Sequence, residues 1–331
     1  MITLRTIDAH VAGEPLRLVV EGFPTPRGRT MLDKRDWVER HADRLRRVLM
    51  LEPRGHRELC GAVLTEPVLP GSHTGILFMH NEGFAAMSAH GIIASTIIAL
   101  GRGLLIPGGD GSTIVYDTVA GTVRTLVTRD SGSAFRSVSV LDVPSFVLHG
   151  GLPVNLGARV IRADLAFGGA FYAIVDSESA GLAIDVAHVP ELRRVGMAIA
   201  RAIEAQHRVE HPLEPRLAGI EGTIFTGPPT NDRADLRSVT VFANAAIDRS
   251  PCGTGMSAVM AVLSAMNLLS DGRTFLCESL VGTELSGRVE GRTMVGDHEA
   301  ILPEIAGAAW ITGEHTFYLE DDDIVGEGFL G

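Results

Sequence analysis

The chain of 331 residues has few aromatic side chains, few cysteines and no long hydrophobic run. Phe, Trp and Tyr make up 5% of the residues, so a binding surface built on aromatic stacking is not expected. Of the three cysteines, Cys60 and Cys277 lie in apolar contexts and are predicted to pack in the core. The odd number of cysteines does not favour disulfides, and their spacing does not match a metal centre. Both observations indicate a reducing cytoplasm as the location of the protein.

Membrane segments and a basic surface are not expected either. No apolar run approaches the ~20 residues that a membrane helix needs, and Asp8 and His10 interrupt the N-terminus before a signal peptide could form. Asp and Glu number 40 against 29 Lys and Arg, which gives a formal net charge of -11. Because nucleic-acid binding depends on a basic patch, the composition argues against a nucleic-acid partner. A surface helix is predicted over residues 33–50 with Asp33 as its N-cap, and the arginine-rich segment 40–57 is interpreted as a solvated helix face.

Two stretches with the same outline lie about half a chain length apart. They are MSAHGIIA from residue 87 and PCGTGMSA from residue 251. In each, a residue with a side-chain oxygen or sulfur, Ser88 or Cys252, is followed by a small residue, a variable residue, a glycine and an apolar helix. The repeat therefore predicts two α+β halves related by a pseudo-twofold axis. A cleft between them would place Ser88 and Cys252 on opposite sides of one small ligand.

The predicted boundary between the halves falls near residue 145. Hydrophobic content of 45% over this length is sufficient for two domains with separate cores. The N-terminal half is predicted as residues 1–145, joined by a C-terminal strand at about 315–331. The C-terminal half is predicted as residues 146–314.

The stretch DRSPCGTG from residue 248 has the composition of a helix N-terminus. Ser250 is predicted as the N-cap and Pro251 as the first helical residue, which places Cys252 in the first turn. First-turn amides lack intrahelical partners and favour negative charge, so a thiolate would be stabilised and a carboxylate could bind. Asp248 would hold a cation such as a substrate ammonium, or would only form a turn. The stretch predicts a base or nucleophile beside an anion site.

Two other groups of polar residues have open interpretations. Ser88 is an ordinary N-cap in one interpretation and the counterpart of Cys252 in the other. His90 is either a satisfied interior histidine or a group that faces the same ligand. His10 and Glu14 could form a metal pair, but no coherent third ligand accompanies them, so no metal is expected. No Cys/His spacing requires a cysteine hydrolase.

Four motifs, spread over nearly the whole chain, carry a family resemblance. They are IDAHVAGEPLRLVVEG from residue 7, MSAHGIIA from residue 87, FGGAFYAIVD from residue 167 and DRSPCGTGMSA from residue 248. Together they resemble the proline racemase family, which includes 4-hydroxyproline 2-epimerases and trans-3-hydroxy-L-proline dehydratases. The resemblance implies the diaminopimelate-epimerase-like fold, with two curved sheets, each around a central helix, and the active site between the halves. It also implies catalysis without cofactor or metal, and it is compatible with a homodimer.

The resemblance assigns roles at single positions. Cys252 matches the second catalytic cysteine of the family, and Ser88 stands where the racemases and epimerases carry the first. His90 and Asp248 match residues that contact the ring nitrogen, and first-turn amides of the two helices match those that bind the substrate carboxylate. The substrate-binding residues implied in this way are Ala89, His90, Gly91, Asp248, Gly253 and Thr254.

The serine at position 88 bears on which reaction is expected. Epimerisation needs a group on each face of the α-carbon with a pKa near the working pH, and a serine hydroxyl is a weak base unless it is activated. A β-elimination needs one base and a route for the hydroxyl to leave. The sequence therefore predicts a trans-3-hydroxy-L-proline dehydratase that forms Δ1-pyrroline-2-carboxylate, with side epimerisation of 4-hydroxyproline. The alternatives are a 4-hydroxyproline 2-epimerase or proline racemase, and a non-catalytic imino-acid-binding protein.

Overall fold

The computed structural model describes residues 1–108, 112–129, 135–157 and 159–330. The chain forms two compact units, one of Met1–Val140 with Gly307–Gly331 and one of Leu141–Ala306. No helix in the described ranges is both long and apolar enough to cross a membrane.

The first unit contains a sheet with the strand order β1-β2-β3-β4-β6-β7-β8, in which β5 pairs with β4. The pairs β1–β2, β3–β4, β4–β5 and β6–β7 are antiparallel, whereas β2–β3 and β4–β6 are parallel. The strands are β1 (Ile2–Val11), β2 (Glu14–Glu21), β3 (Cys60–Thr65), β4 (Thr74–Met79), β5 (Phe84–Ala85), β6 (Thr113–Asp117), β7 (Thr122–Arg129) and β8 (Phe135–Leu141). The helices are α1 (Met31–His41), α2 (Asp43–Met50) and α3 (Ala89–Gly101).

Helix α3 forms the core of this unit. Every residue from Ala89 to Leu100 is buried, and the helix packs on β1, β2 and β3. A helix that is apolar all round is stable only when other elements cover it on all sides. The predicted buried helix near residue 89 is thereby confirmed, and its start puts Ser88 at the N-cap.

The predicted surface helix over 33–50 is divided in two at Ala42. The sequence prediction of Asp33 as its N-cap is wrong. Thr30 is the N-cap and accepts the N–H of Asp33 at 3.0 Å, while the Asp33 carboxylate accepts the N–H of Thr30 at 3.1 Å. This reciprocal pair is a capping box, in which the acidic residue occupies the third helical position.

The second unit contains strands in the order β17-β16-β15-β14-β11-β10-β9. Its strands are β9 (Ser145–Leu156), β10 (Arg159–Phe167), β11 (Phe171–Asp176), β12 (Glu210–His211), β13 (Glu214–Ala218), β14 (Ile220–Gly227), β15 (Leu236–Phe242), β16 (Phe275–Glu278) and β17 (Glu284–Val295). Its helices are α4 (Ser177–Ala180), a 3-10 turn (Val186–His188), α5 (Val189–Glu204) and α6 (Gly253–Ala265). Helix α6 is buried and packs on β9, β10, β11 and β17.

The last strand, β18 (His298–Leu319), passes from the second unit to the first. Its early residues pair with β17, where Ser286 lies opposite Ala306. Its later residues pair with β1, where Ile2 lies opposite Leu319. The sequence predicted a C-terminal strand at about 315–331, but the strand begins earlier and ends at Leu319, and turns follow it.

Candidate active site

In the first unit, the candidate site begins at the N-cap of α3. Ser88 has an extended backbone, and its Oγ accepts the N–H of Gly91 at 3.1 Å. The same oxygen lies 3.1 Å from Nδ1 of His90. A Cβ on Gly91 would lie 2.9 Å from the Ser88 oxygen and 2.5 Å from the ring of Phe78, so only glycine fits without displacement. The helix start thus presents a hydroxyl held between an amide and an imidazole.

Two further side chains lie close to His90. Glu14, at the start of β2, and Cys60, at the start of β3, each place a ligand atom within 4.8 Å of a His90 ring nitrogen and of one another. The glutamate and the histidine are buried, and the cysteine is half-buried. These three side chains are the ones that could hold a metal ion within the described part of the chain. His10, which the sequence paired with Glu14, instead stacks on Trp310 with ring centroids 5.3 Å apart.

In the second unit, the candidate site begins at Cys252, which is itself the N-cap of α6. The helix starts at Gly253, so the prediction of Ser250 as N-cap and Pro251 as first helical residue is wrong. The Ser250 hydroxyl accepts the N–H of Cys252 at 3.1 Å and therefore closes a turn before the helix. Cys252 has φ +61, in the left-handed region that non-glycine residues rarely adopt. Such a backbone is retained only where the surroundings hold it, as at many functional sites.

The Cys252 thiol lies in an environment that disfavours its charged form. It is 2% exposed, and burial raises its pKa, as does the Asp248 carboxylate. The N–H of Gly255 and the hydroxyl of Thr254 lower the pKa, but by less. The sequence prediction of a thiolate stabilised at the helix N-terminus is therefore wrong for the protein without a ligand, because loss of solvation outweighs the helix amides.

Asp248 is fully buried, and its two carboxylate oxygens differ in their contacts. Oδ1 accepts two hydrogen bonds from Ser250, from the N–H at 2.8 Å and from the hydroxyl at 2.7 Å. Oδ2 is buried and has no hydrogen-bond partner among the described residues. A buried carboxylate oxygen without a donor is costly, so a cation or N–H donor bound at Oδ2 would be strongly favoured.

The sequence did not predict Tyr172 as a site residue, although it lies in one of the family motifs. Its hydroxyl is buried 2.8 Å from Oγ1 of Thr254 and 4.0 Å from the sulfur of Cys252. Burial raises the pKa of Tyr172 and keeps the phenol neutral, and the neighbouring Cys252 and Glu221 act in the same direction. Tyr172 lies on β11, which packs against α6, and no local sequence signal shows that contact.

Comparison with known proteins gives the relationship directly. Residues 6–330 match the family model described as Proline racemase. The chain belongs to the proline racemase family. It is 42% identical over 325 residues to a trans-3-hydroxy-L-proline dehydratase of Bacillus cereus, a match that covers 98% of this chain and 97% of that relative. It is 36% identical over 329 residues to a 3-hydroxyproline 2-epimerase of Burkholderia multivorans, over 99% of this chain and 98% of the relative.

Solved structures of the proline racemase family have the same fold. A hydroxyproline epimerase from Agrobacterium vitis, with bound trans-4-hydroxy-L-proline, has a TM-score of 0.91 at 29% identity and covers 100% of this chain and 97% of its own. A PhzF-family protein from Bacillus anthracis has a TM-score of 0.61 at 9% identity, which shows the fold alone, over 96% of this chain and 100% of its own. The predicted diaminopimelate-epimerase-like α+β fold is confirmed. The roles assigned to single residues stay predictions.

Proposed function

We propose that this protein is a hydro-lyase that dehydrates trans-3-hydroxy-L-proline to Δ1-pyrroline-2-carboxylate, with Ser88 as the base at the α-carbon and Cys252 as the second acid/base group, which side epimerisation requires. The observation that carries the proposal is the hydroxyl of Ser88, hydrogen-bonded beside an imidazole at the N-cap of a buried helix, where racemases and epimerases have a cysteine. The 42% identity to a curated dehydratase supports the same reaction.

The charges of the imino acid match groups on the two buried helices. The carboxylate would be bound by first-turn amides of Ala89 and His90 on α3 and of Gly253 and Thr254 on α6. The ring ammonium would bind Oδ2 of Asp248, which has no partner among the residues described. The ammonium would also offset the negative charge that raises the pKa of the neighbouring thiol.

The stereochemistry of the substrate explains how a chain with one cysteine and one serine could dehydrate it. In the trans isomer the 3-hydroxyl lies opposite the carboxylate and therefore on the same ring face as the α-hydrogen. A single acid/base group on that face can take the α-proton and return it to the departing hydroxyl. The C2–H and C3–O bonds break, a C2=C3 bond forms and water leaves. The resulting enamine then tautomerises to Δ1-pyrroline-2-carboxylate. Amides at the carboxylate stabilise the negative charge that develops during proton removal.

A second activity, 2-epimerisation of a hydroxyproline, is supported by the Cys252 thiol. Inversion at the α-carbon needs a second group that delivers a proton to the opposite face, and a cysteine can serve in that role. The name of the Burkholderia multivorans relative, a 3-hydroxyproline 2-epimerase, supports the same reaction. A non-catalytic imino-acid-binding protein is the third candidate.

Location and assembly belong to the same proposal. The three cysteines are free thiols, which supports the reducing cytoplasm as the location. The family resemblance supports a homodimer, and light scattering on the purified chain would measure its mass in solution.

The function is tested with trans-3-hydroxy-L-proline, trans-4-hydroxy-L-proline and L-proline in D2O. We expect pyrroline formation from the first substrate and slow deuterium incorporation at C2 of the second. Efficient epimerisation without pyrroline would favour the epimerase. Binding without exchange or product would favour the non-catalytic protein.

A further inference from the structure

A serine hydroxyl is too weak a base to take an α-proton unless another group accepts its own proton. We propose that Ser88, His90 and Glu14 form a proton relay in which His90 accepts the proton of Ser88 and Glu14 is a positioning residue for the imidazole. This inference rests on the proposed function and assigns the α-proton of trans-3-hydroxy-L-proline to Ser88.

The hydrogen bonds of Ser88 indicate the direction of the relay. A hydroxyl has one proton to donate, and its oxygen already accepts the N–H of Gly91 at 3.1 Å. Nδ1 of His90, 3.1 Å away, can accept that proton when the imidazole is neutral and carries its own proton on Nε2. This tautomer makes the serine the donor and the histidine the general base.

Glu14 provides the charge that such a base needs. Its carboxylate is 2% exposed and lies within 4.8 Å of a ring nitrogen of His90. When the imidazole gains a proton it becomes a cation, and a buried carboxylate at this distance stabilises it. Cys60 also has its sulfur within that distance. Glu14 and Cys60 begin the neighbouring parallel strands β2 and β3, which pack against α3, so sheet pairing fixes their positions.

The proton balance of the relay closes without any other reactant. The α-proton passes to Oγ of Ser88 while the hydroxyl proton passes to Nδ1 of His90. As the C3–O bond breaks, the imidazolium returns its proton to Ser88, and Ser88 protonates the departing hydroxyl. Water leaves, and both side chains regain their starting protonation.

The decisive test is Glu14→Gln, measured with Ser88 and again with Ser88→Cys. With the serine present, we expect kcat for dehydration to fall about 10–100-fold with KM nearly unchanged, the size typical of losing a residue that orients a catalytic one. The acid limb of the kcat profile should move to lower pH by about one unit. With cysteine at position 88, Glu14→Gln should change kcat less than about threefold, because a thiol of pKa about 8.5 can act without the imidazole. Glu14→Asp should restore part of the activity.

A matched control removes a buried carboxylate elsewhere. Glu278, also 2% exposed, accepts the N–H groups of Thr230 at 2.6 Å and Asn231 at 3.1 Å. Glu278→Gln should lower the melting temperature and leave the pH profile unchanged. Equal losses from Glu14→Gln with serine and with cysteine at position 88 would overturn the relay and assign Glu14 a structural role.

A second measurement is independent of turnover. The ¹⁵N spectrum of the histidine rings, assigned by difference from His90→Gln, should show His90 neutral and protonated on Nε2. A proton on Nδ1 would overturn the relay even in an active enzyme. A wild-type protein that converts no imino acid would instead overturn the proposed function, whichever tautomer the spectrum shows.

Discussion

The N-termini of α3 and α6 share a backbone design. Each has an N-cap residue, Ser88 or Cys252, and a glycine three residues later, Gly91 or Gly255. The Ser88 hydroxyl accepts the N–H of Gly91 at 3.1 Å, whereas the Cys252 side chain accepts no capping hydrogen bond from the described residues. A Cβ on either glycine would approach within 3.0 Å of the N-cap oxygen or sulfur. The shared design leaves first-turn amides available at both helix starts, which is what a carboxylate-binding site requires.

The residue at the second helical position differs between α3 and α6. On α3 it is His90, beside the carboxylate of Glu14, and on α6 it is Thr254, hydrogen-bonded to Tyr172. The first arrangement can accept a proton, whereas the second surrounds a buried thiol with neutral hydroxyls. The difference suggests that the two units have related backbones for binding but separate tasks in proton transfer.

Replacing the hydroxyl at the first N-cap should have the largest effect. We expect Ser88→Ala to lower kcat for dehydration about 10²–10⁴-fold, the usual contribution of a general acid/base. Ser95→Ala is the matched control, because Ser95 lies fully buried on the same helix and its hydroxyl has no hydrogen-bond partner among the described residues. Steady-state kinetics of both variants would test this, and near wild-type turnover by Ser88→Ala would show that the hydroxyl is not the base.

Removal of the thiol should separate the two reactions. We expect Cys252→Ala to abolish inversion at the α-carbon, since nothing delivers a proton to the second face, while dehydration stays within about tenfold of the wild type. Chiral chromatography of the amino acids and a pyrroline assay measure the two outcomes. Cys277→Ala, at another buried cysteine, should preserve both. Loss of dehydration in Cys252→Ala alone would assign the α-proton to the thiol.

Local sequence signals are sufficient to predict the helices α3 and α6 and the short segment in which each of them begins. The run of apolar and small residues predicts α3 and α6 because such a helix must be buried. The start of α6 was predicted two residues early, since Ser250 has the composition of a cap but bonds the N–H of Cys252. The prediction of a Cys252 thiolate was wrong because burial of the thiol raises its pKa. That burial depends on the whole fold and cannot be deduced from the local sequence.

Contacts between residues that lie far apart along the chain could not be predicted from the sequence. The sequence pairs Glu14 with His10 because the two residues are close along the chain. In the structure its neighbours are Cys60 and His90, which reach it through the pairing of β2 with β3 and the packing of α3 on both strands. Tyr172 approaches Cys252 in the same way, through β11 and α6. Only strand order and helix packing establish these neighbours.

The polar groups beneath the two helices also differ, and the difference predicts pH-dependent stability. Under α3, the hydroxyl of Thr96 meets the neutral phenol of Tyr116 at 2.9 Å. Under α6, Ser257 donates to the buried Asp142 at 2.8 Å. Burial raises the pKa of Asp142 from 3.8 to about 7, partly opposed by its hydrogen bonds from Val143 and Ser257.

Because the folded state holds the Asp142 proton more tightly than the unfolded chain, stability should fall as pH rises from about 4 to about 7. The slope is at most about 1.4 kcal/mol per pH unit, and the contribution is complete below about pH 4. Asp142→Asn resembles the protonated form, so it should remove this slope and be more stable than the wild type at pH 8. Urea unfolding at several pH values measures it, with Tyr116→Phe as a control that should lower stability without changing the slope. Identical slopes in wild type and Asp142→Asn would exclude titration of this carboxyl.

The smallest expected effect is a difference in the stability lost when Gly91 or Gly255 is replaced by alanine. A Cβ on Gly91 would lie 2.5 Å from the buried ring of Phe78, which cannot turn aside without displacing its neighbours. A Cβ on Gly255 would lie 2.9 Å from the terminal methyl of Ile224, at the end of a flexible side chain. Alanine in a helix gains up to about 1 kcal/mol over glycine, which partly offsets either clash. We therefore expect Gly91→Ala to cost about 1–3 kcal/mol and Gly255→Ala less than about 1 kcal/mol.

Urea midpoints of the two variants, with melting temperatures as a check, measure this difference. Because each Cβ would also crowd the N-cap atom, activity should fall in both variants even where stability is kept. If Gly255→Ala were the less stable variant, the start of α6 would be the more tightly packed of the two. The left-handed backbone of Cys252, with φ +61, would then be the feature to examine, because the added Cβ would lie 3.0 Å from the Cys252 sulfur.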